Sequence, residues 1–390
     1  MEGEFSEVRD APRKIAIPYS RCILPRFRCK LRREEAALGE VPELEMGGVL
    51  GGALRSTGKA ALDRPGASFA LLLVVAAGTI LGARRIKRTS SGKEATHGLA
   101  SNEELVRLFD GRRVAIASHG DPQGRPLFLF HGIPGSRLGL HYVEEPAKER
   151  GVRVVCPDRP GVGRSDPYPE RTIPGYAEDV SALADAMGFE RFAVLGYSGG
   201  APYALACGAR LPERVSAVGI MAGAGPHDRP GSREGCSKSD LMLLDLSMRR
   251  PSLARLMMFV WAKVAKLAPS VALKSLAEDV SEPDRQFLDE GVRERGAAEV
   301  MRLFAEAFRQ GGGGVVLEYR LYGRSWGFSF EEVSVPVHIW HGEDDLIVPM
   351  HHAEDLASRL PDAKLHKLEG TGHFSIQQHY GTMLDTMLPA

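Results

Sequence analysis

Short apolar runs alternate with longer stretches whose apolar positions recur every three or four residues. Runs at 114–118, 126–130, 152–156, 192–195 and 215–221 read as strands, largely apolar on both faces, as strands buried in a parallel sheet are. Between them the helical period appears after Ser136 as far as Arg150, with Gly151 closing it. It appears again over 174–187, with a proline near its start and Gly188 at its end, and over 201–209, where the residues are small. The link His119-Gly120-Asp121-Pro122-Gln123-Gly124 is rich in turn formers and predicts a hairpin between the first two strands. After Pro226 the alternation stops. Residues 227–330 carry helical patterns, among them 253–267 with Leu256, Met257, Phe259, Val260, Trp261 and Val264, then 299–308, then a hinge-like run of glycines at 311–314. The strand pattern resumes at 335–340, and a helix over 352–360 and a strand over 363–368 follow. This predicts an α/β fold: a mostly parallel, doubly wound sheet over 102–226 and 331–390, with residues 227–330 as a helical cap over its C-terminal edge.

The first hundred residues follow a different pattern. Residues 1–66 mix charges with scattered Pro and Gly and show no sustained period, which predicts a disordered tail. Residues 67–83 contain no charge and are closed by Arg84, Arg85, Lys87 and Arg88. At ~1.5 Å per residue they span about 25 Å, slightly less than a ~30 Å hydrocarbon core. The expectation is a single membrane anchor, then a polar linker over 84–101. Basic residues lie more densely after the run than before it, which orients the following domain toward the cytoplasm. The tail is too acidic for a transit peptide, and the apolar run lies too far from residue 1 for a cleavable secretory signal.

Charge and cysteines narrow the partners. Fifty basic residues balance fifty acidic ones, and no aromatic-basic interleaving appears, so a nucleic-acid partner is not expected. Five cysteines are an odd number without zinc-site spacing, which predicts a reducing compartment and no structural disulfides. Neither a metal nor a cofactor is expected.

One stretch carries chemistry. Gly196-Tyr197-Ser198-Gly199-Gly200 sits between a buried strand and a small-residue helix. A strand turning sharply into a helix strains its central residue, and glycines two before and two after remove the side chains that would clash. The turn lifts the Ser198 hydroxyl above the sheet's C-terminal edge, at the positive end of the helix.

With this elbow stand four further motifs: His131-Gly132-x-Pro134-Gly135, the loop from Asp158-Arg159-Pro160-Gly161 to Ser165-Asp166, Gly342-x-x-Asp345-x-x-x-Pro349, and Gly372-His373. Over about 102–390 the chain thereby resembles the α/β-hydrolase superfamily, of the AB hydrolase-1 type. Residues 311–328 resemble a mostly uncharacterised bacterial-type subgroup of it. The resemblance implies a cap inserted after the sixth strand and a catalytic triad of Ser198, His373 and Asp345. The physics agrees: a serine hydroxyl needs a base, imidazole titrates in the right range, and a carboxylate on its far nitrogen fixes the tautomer. Asp344 adjoins Asp345 but is expected to be solvated or bound to loop backbone; Asp228 is the alternative acid. Two oxyanion donors are expected from the backbone of Gly199 and Ile133. Residues Arg159 to Asp166 are expected to brace their loop through internal turns. Tyr197, His131, Met257 and Trp261 are expected to touch substrate.

The resulting expectation is a serine hydrolase acting through an acyl-enzyme on a small-molecule or lipid-like carboxylic ester with an apolar group. The same triad serves amides, thioesters and carbon–carbon bonds. Alternatives are a ligand-binding or receptor protein of this fold with little turnover, and a scaffold whose business lies in its N-terminal segment.

Overall fold

The computed structural model describes residues 100–389 apart from residue 228, so the tail, the uncharged run, the linker and the alternative acid Asp228 lie outside the described residues. Eight strands form one sheet: β1 (Glu103–Arg107), β2 (Arg113–Gly120), β3 (Arg125–Phe130), β4 (Val152–Pro157), β5 (Phe192–Tyr197), β6 (Val215–Met221), β7 (Val337–Gly342) and β8 (Ala363–Leu368). Their spatial order is β1-β2-β4-β3-β5-β6-β7-β8, with the β1–β2 and β2–β4 pairs antiparallel and the rest parallel.

Before the cap come helices α1 (Glu144–Glu149), α2 (Tyr176–Ala186) and α3 (Ala201–Arg210). Within it are α4 (Lys238–Arg249), α5 (Pro251–Leu267), α6 (Pro269–Ala277), α7 (Glu282–Arg295), α8 (Ala297–Ala305) and α9 (Gly313–Tyr322). After it come α10 (His351–Arg359) and α11 (Tyr380–Met387).

Successive strand residues point to opposite faces. Phe128, Phe130, Val194 and Ile220 pack with α2, α3 and α10; Leu127, Leu129, Val154 and Leu195 pack with α1 and α11. All six residues of β5 are buried, which fixes the strand that carries Ser198 from both sides.

The cap builds a core of its own from Leu244, Ala254, Met258, Phe308, Val316 and Tyr319, with Val162 reaching it from the sheet's loops. Pro269 ends α5, and the chain bends by 118° into α6. Among the described residues no single helix is long and apolar enough to cross a membrane; α5 and α6 reach that standard only together, across the bend.

Two expectations are corrected and one strand is added. β2 and β3 do not form a hairpin: β4 lies between them, antiparallel to one and parallel to the other. The turn is present, since Gly124 N–H donates to the Asp121 carbonyl at 2.9 Å, but β4 is buried along nearly its whole length and its backbone groups need partners on both edges. The strand β1 is an addition, hidden in the sequence because Glu-Glu-Leu-Val-Arg keeps most of its side chains in water at the sheet's edge. The glycines 311–314 are no hinge: a Cβ on Gly314 would lie 2.1 Å from the Gly161 carbonyl oxygen, so they permit the start of α9 to press on the loop after β4.

Candidate active site

The elbow follows from sterics. Ser198 has φ +51°, in the left-handed region. A Cβ at Gly196 would lie 2.6 Å from the Gly200 carbonyl oxygen, and one at Gly200 would lie 2.4 Å from that of Phe130. Only glycine allows β5 to turn into the helix this tightly.

Three loops at the C-terminal ends of β5, β7 and β8 bring Ser198, Asp345 and His373 together. His373 Nε2 is 3.0 Å from Ser198 Oγ, and its Nδ1 is 2.8 Å from Asp345 Oδ2. The other Asp345 oxygen accepts the backbone N–H groups of Ile347 and Val348 at 2.9 and 2.8 Å, so both of its lone-pair directions are committed. Asp344 is exposed beside it. Burial opposes a charge on the His373 ring, but the carboxylates of Asp345, then Asp284 and Asp240, outweigh it and hold the ring's pKa above the ordinary 6.5.

Ile133 packs on Gly199, where a Cβ would lie 2.5 Å from the Ile133 side chain, and a Cβ at Gly132 would lie 3.2 Å from that of Ser198. The loop after β3 therefore sits directly against the serine. Arg159 fixes it: the guanidinium donates to the carbonyls of His131 at 2.5 Å and Gly132 at 3.0 Å, and to Glu318 at 2.5 Å. Residues 159–166 also brace themselves through internal turns, as expected: Val162 N–H donates to the Arg159 carbonyl at 3.0 Å, Ser165 N–H to that of Val162 at 3.1 Å and Gly161 N–H to that of Asp166 at 3.2 Å. The added brace runs from the cap, since Glu318 lies on α9, while the Asp166 carboxylate pairs with Arg113.

The expected substrate contacts divide. Trp261 lines the cavity above Ser198, while Met257 does not; the next residue, Met258, takes that place. Adjacent helical positions differ by ~100°, a distinction the apolar pattern of α5 does not reveal. His131 and Tyr197 reach the cavity, but their polar atoms serve the loops. His131 Nδ1–H donates to the Gly132 carbonyl and Nε2 accepts the Arg159 backbone N–H, while burial and then Arg159 push its pKa down to about 3. The Tyr197 hydroxyl donates to the His373 carbonyl at 3.1 Å.

One residue had no signal in the sequence. Asp284, fully buried in the first turn of α7, accepts the backbone N–H groups of His373, Phe374 and Ser375 at 2.8, 2.7 and 2.9 Å and the Ser375 hydroxyl at 3.1 Å. An acid in a helix's first turn reads as ordinary capping. Gly372 completes the fit, since a Cβ there would lie 2.5 Å from the Asp284 carboxyl carbon.

The cavity over Ser198 has a volume of about 280 Å³ and an apolar roof including Met258, Trp261, Leu303, Phe304 and Phe308. Arg295 is the one guanidinium or ammonium among its described lining residues, and it is exposed at the rim. Asp240 also lines it; burial holds its carboxyl above the usual range, against a 2.7 Å hydrogen bond from Tyr319 and the nearby His373.

His227, Cys236 and His352 place potential ligand atoms within 4.8 Å of one another. They do not fit a metal. His352 Nδ1 accepts the Gly225 N–H, so its proton is on Nε2, 3.3 Å from Cys236 Sγ, and burial pushes that thiol up to about 11.

The model of the alpha/beta hydrolase fold family matches residues 125–380, and the chain belongs to that family. A 2-hydroxy-6-oxononadienedioate/2-hydroxy-6-oxononatrienedioate hydrolase from a Pseudomonas species is 26% identical over 292 residues, covering 72% of this chain and 93% of its own. Among solved structures, an esterase from Exiguobacterium antarcticum matches with a TM-score of 0.54 at 18% identity, over 73% of this chain and 98% of its own. A membrane phospholipase A described as a bacterial virulence factor matches with a TM-score of 0.50 at 22% identity, over 87% of this chain and 98% of its own. At these identities the structural likeness speaks for the fold.

Proposed function

We propose that the protein is a serine hydrolase that cleaves uncharged carboxylic esters bearing an apolar group. The reading is carried by the continuous hydrogen-bonded chain from Ser198 through His373 to Asp345 at the floor of an apolar cavity. In the reaction His373 Nε2 takes the Ser198 proton as Oγ bonds to the substrate carbonyl carbon, and Asp345 stabilises the imidazolium. The backbone N–H groups of Gly199 and Ile133 receive the oxyanion. The tetrahedral intermediate collapses, the leaving alcohol takes the proton from His373, and water repeats the sequence on the acyl-enzyme.

A second reading, hydrolysis of a carbon–carbon bond, is favoured by the name of the Pseudomonas relative, whose substrate carries two carboxylates. The cavity argues against such a substrate here. A buried carboxylate wants a paired cation, whereas Asp240 stands in the wall and Arg295 stays at the rim.

A series of p-nitrophenyl esters of rising acyl length, with a fluorophosphonate probe, tests the proposal. Wild type turns over the esters and takes the label; Ser198→Ala and His373→Ala lose at least about 10³-fold in kcat. A folded wild type that does neither, or that cleaves a 2-hydroxy-6-oxo-dienoate faster than any ester, overturns it.

We also keep residues 67–83 as a single-pass anchor with the hydrolase domain on the cytoplasmic side, supported by the uncharged run and its basic collar. Deleting 67–83 should then release the protein from carbonate-washed membranes.

A further inference from the structure

Nine large apolar side chains stand exposed among the described residues, and five of them fall on α5 and α6. These are Leu253, Leu256, Phe259, Leu267 and Val271, each with 46–61% of its surface open. Interleaved with them are exposed Arg255, Lys263, Lys266 and Lys274, and no acid occurs from Pro251 to Ala277. Lys263 Nζ lies 5.2 Å from the Phe259 ring centre, so a cation and an aromatic share one patch of surface. The helix pair is therefore apolar on its outer side and carries charge of one sign there. Its inner side is already used: Met258 and Trp261 of α5 and Ser275 and Leu276 of α6 line the cavity.

Scattered exposed apolar residues need no partner, but a concentration of them on one element does. Aliphatic and aromatic side chains alongside cations, without acids, are the composition of helices that lie in the lipid–water interface. A second copy of the chain fits poorly, because a two-fold contact through this face sets four cations against four. Anionic headgroups complement it, each basic residue strengthening binding about fivefold at a free energy of ~1 kcal/mol.

We propose that the outer face of α5 and α6 docks on an anionic lipid surface without crossing it. The cavity's roof then rests on the phase that holds the substrate. The docking stands independently of the ester-hydrolase reading; the delivery of a lipid-phase ester rests on it.

The experiment uses the full chain with vesicles of phosphatidylcholine alone or mixed with phosphatidylglycerol, carrying brominated acyl chains. Phe259→Trp places an indole on the proposed face, its emission read as the difference from wild type. Quenching of that added emission by the phosphatidylglycerol vesicles, little by phosphatidylcholine alone, and its loss in Lys263→Glu/Lys266→Glu, is the expected result. Leu256→Asp/Phe259→Asp should lower hydrolysis of a vesicle-embedded p-nitrophenyl ester at least about tenfold while leaving a short soluble ester unchanged. An anchor at 67–83 keeps every variant on the vesicle, so the local quenching, not sedimentation, decides. Equal or absent quenching with the two vesicle types overturns the docking. So does a concentration-dependent dimer dissolved by Leu256→Asp with no lipid effect, which assigns the face to a second copy. Failure of soluble ester hydrolysis in wild type strikes the functional reading alone.

Discussion

A serine held at φ +51° works against its own backbone, because a Cβ in the left-handed region meets the following carbonyl. The strain is local and separable from the chemistry. Ser198→Ala and Ser198→Gly both remove the hydroxyl, yet only glycine relieves the strain. Ser198→Gly should therefore exceed Ser198→Ala in stability by about 1 kcal/mol by urea unfolding, with both inactive. At this scale the sequence was most legible: Ser198, Asp345 and His373 each stand in a glycine-marked loop at the C-terminal end of a strand, because sharp turns at a sheet edge leave few choices of residue. Met257 was misread because the apolar period marks a buried helical side and does not say which of its members meets the cavity.

At the scale of elements, the His373 loop is held by α7 as firmly as by the sheet. Asp284 accepts with both carboxylate oxygens. Asparagine keeps the size but turns an NH2 group toward one set of those donors. Asp284→Asn should lower kcat about tenfold or more, as expected for a catalytic group left misplaced. It should also move the pH profile. Neutral His373 is the base, so kcat/KM of wild type rises with pH through a midpoint above 6.5, held there by Asp345, Asp284 and Asp240 against burial. Removing one of those charges lowers the midpoint, a shift that mere loosening of the loop does not produce, and rate measurements from pH 5 to 9 read both effects. Neither Asp284 nor the separation of β2 from β3 was legible, for a common reason. Each depends on an element distant in the chain, α7 in one case and β4 in the other, and short-range periodicity carries no record of such neighbours.

Across the whole molecule, three buried acids of the cap reach into the core. Asp284 holds the His373 loop, Glu306 pairs with Arg137 at 3.0 Å, and Glu318 pairs with Arg159 and Arg171. Burial works against the charge on Glu318, but the two guanidinium groups outweigh it and hold its pKa down to about 2, against an ordinary 4.5. Its folded pKa is the lower one, so its stabilisation is complete above about pH 4.5 and is lost as pH falls toward 2, a contribution on the order of 3 kcal/mol. Glu318→Gln should cost about 3–5 kcal/mol at neutral pH, since it leaves two guanidinium groups buried without their partner. The gap between wild type and variant in urea unfolding should shrink across that acid window.

These acids also fasten the roof to the floor beneath it. Lifting the roof as a body would part the Glu306–Arg137 and Glu318–Arg159/Arg171 pairs and free the His373 loop from Asp284 in one step, so the cap is pinned where it meets the site.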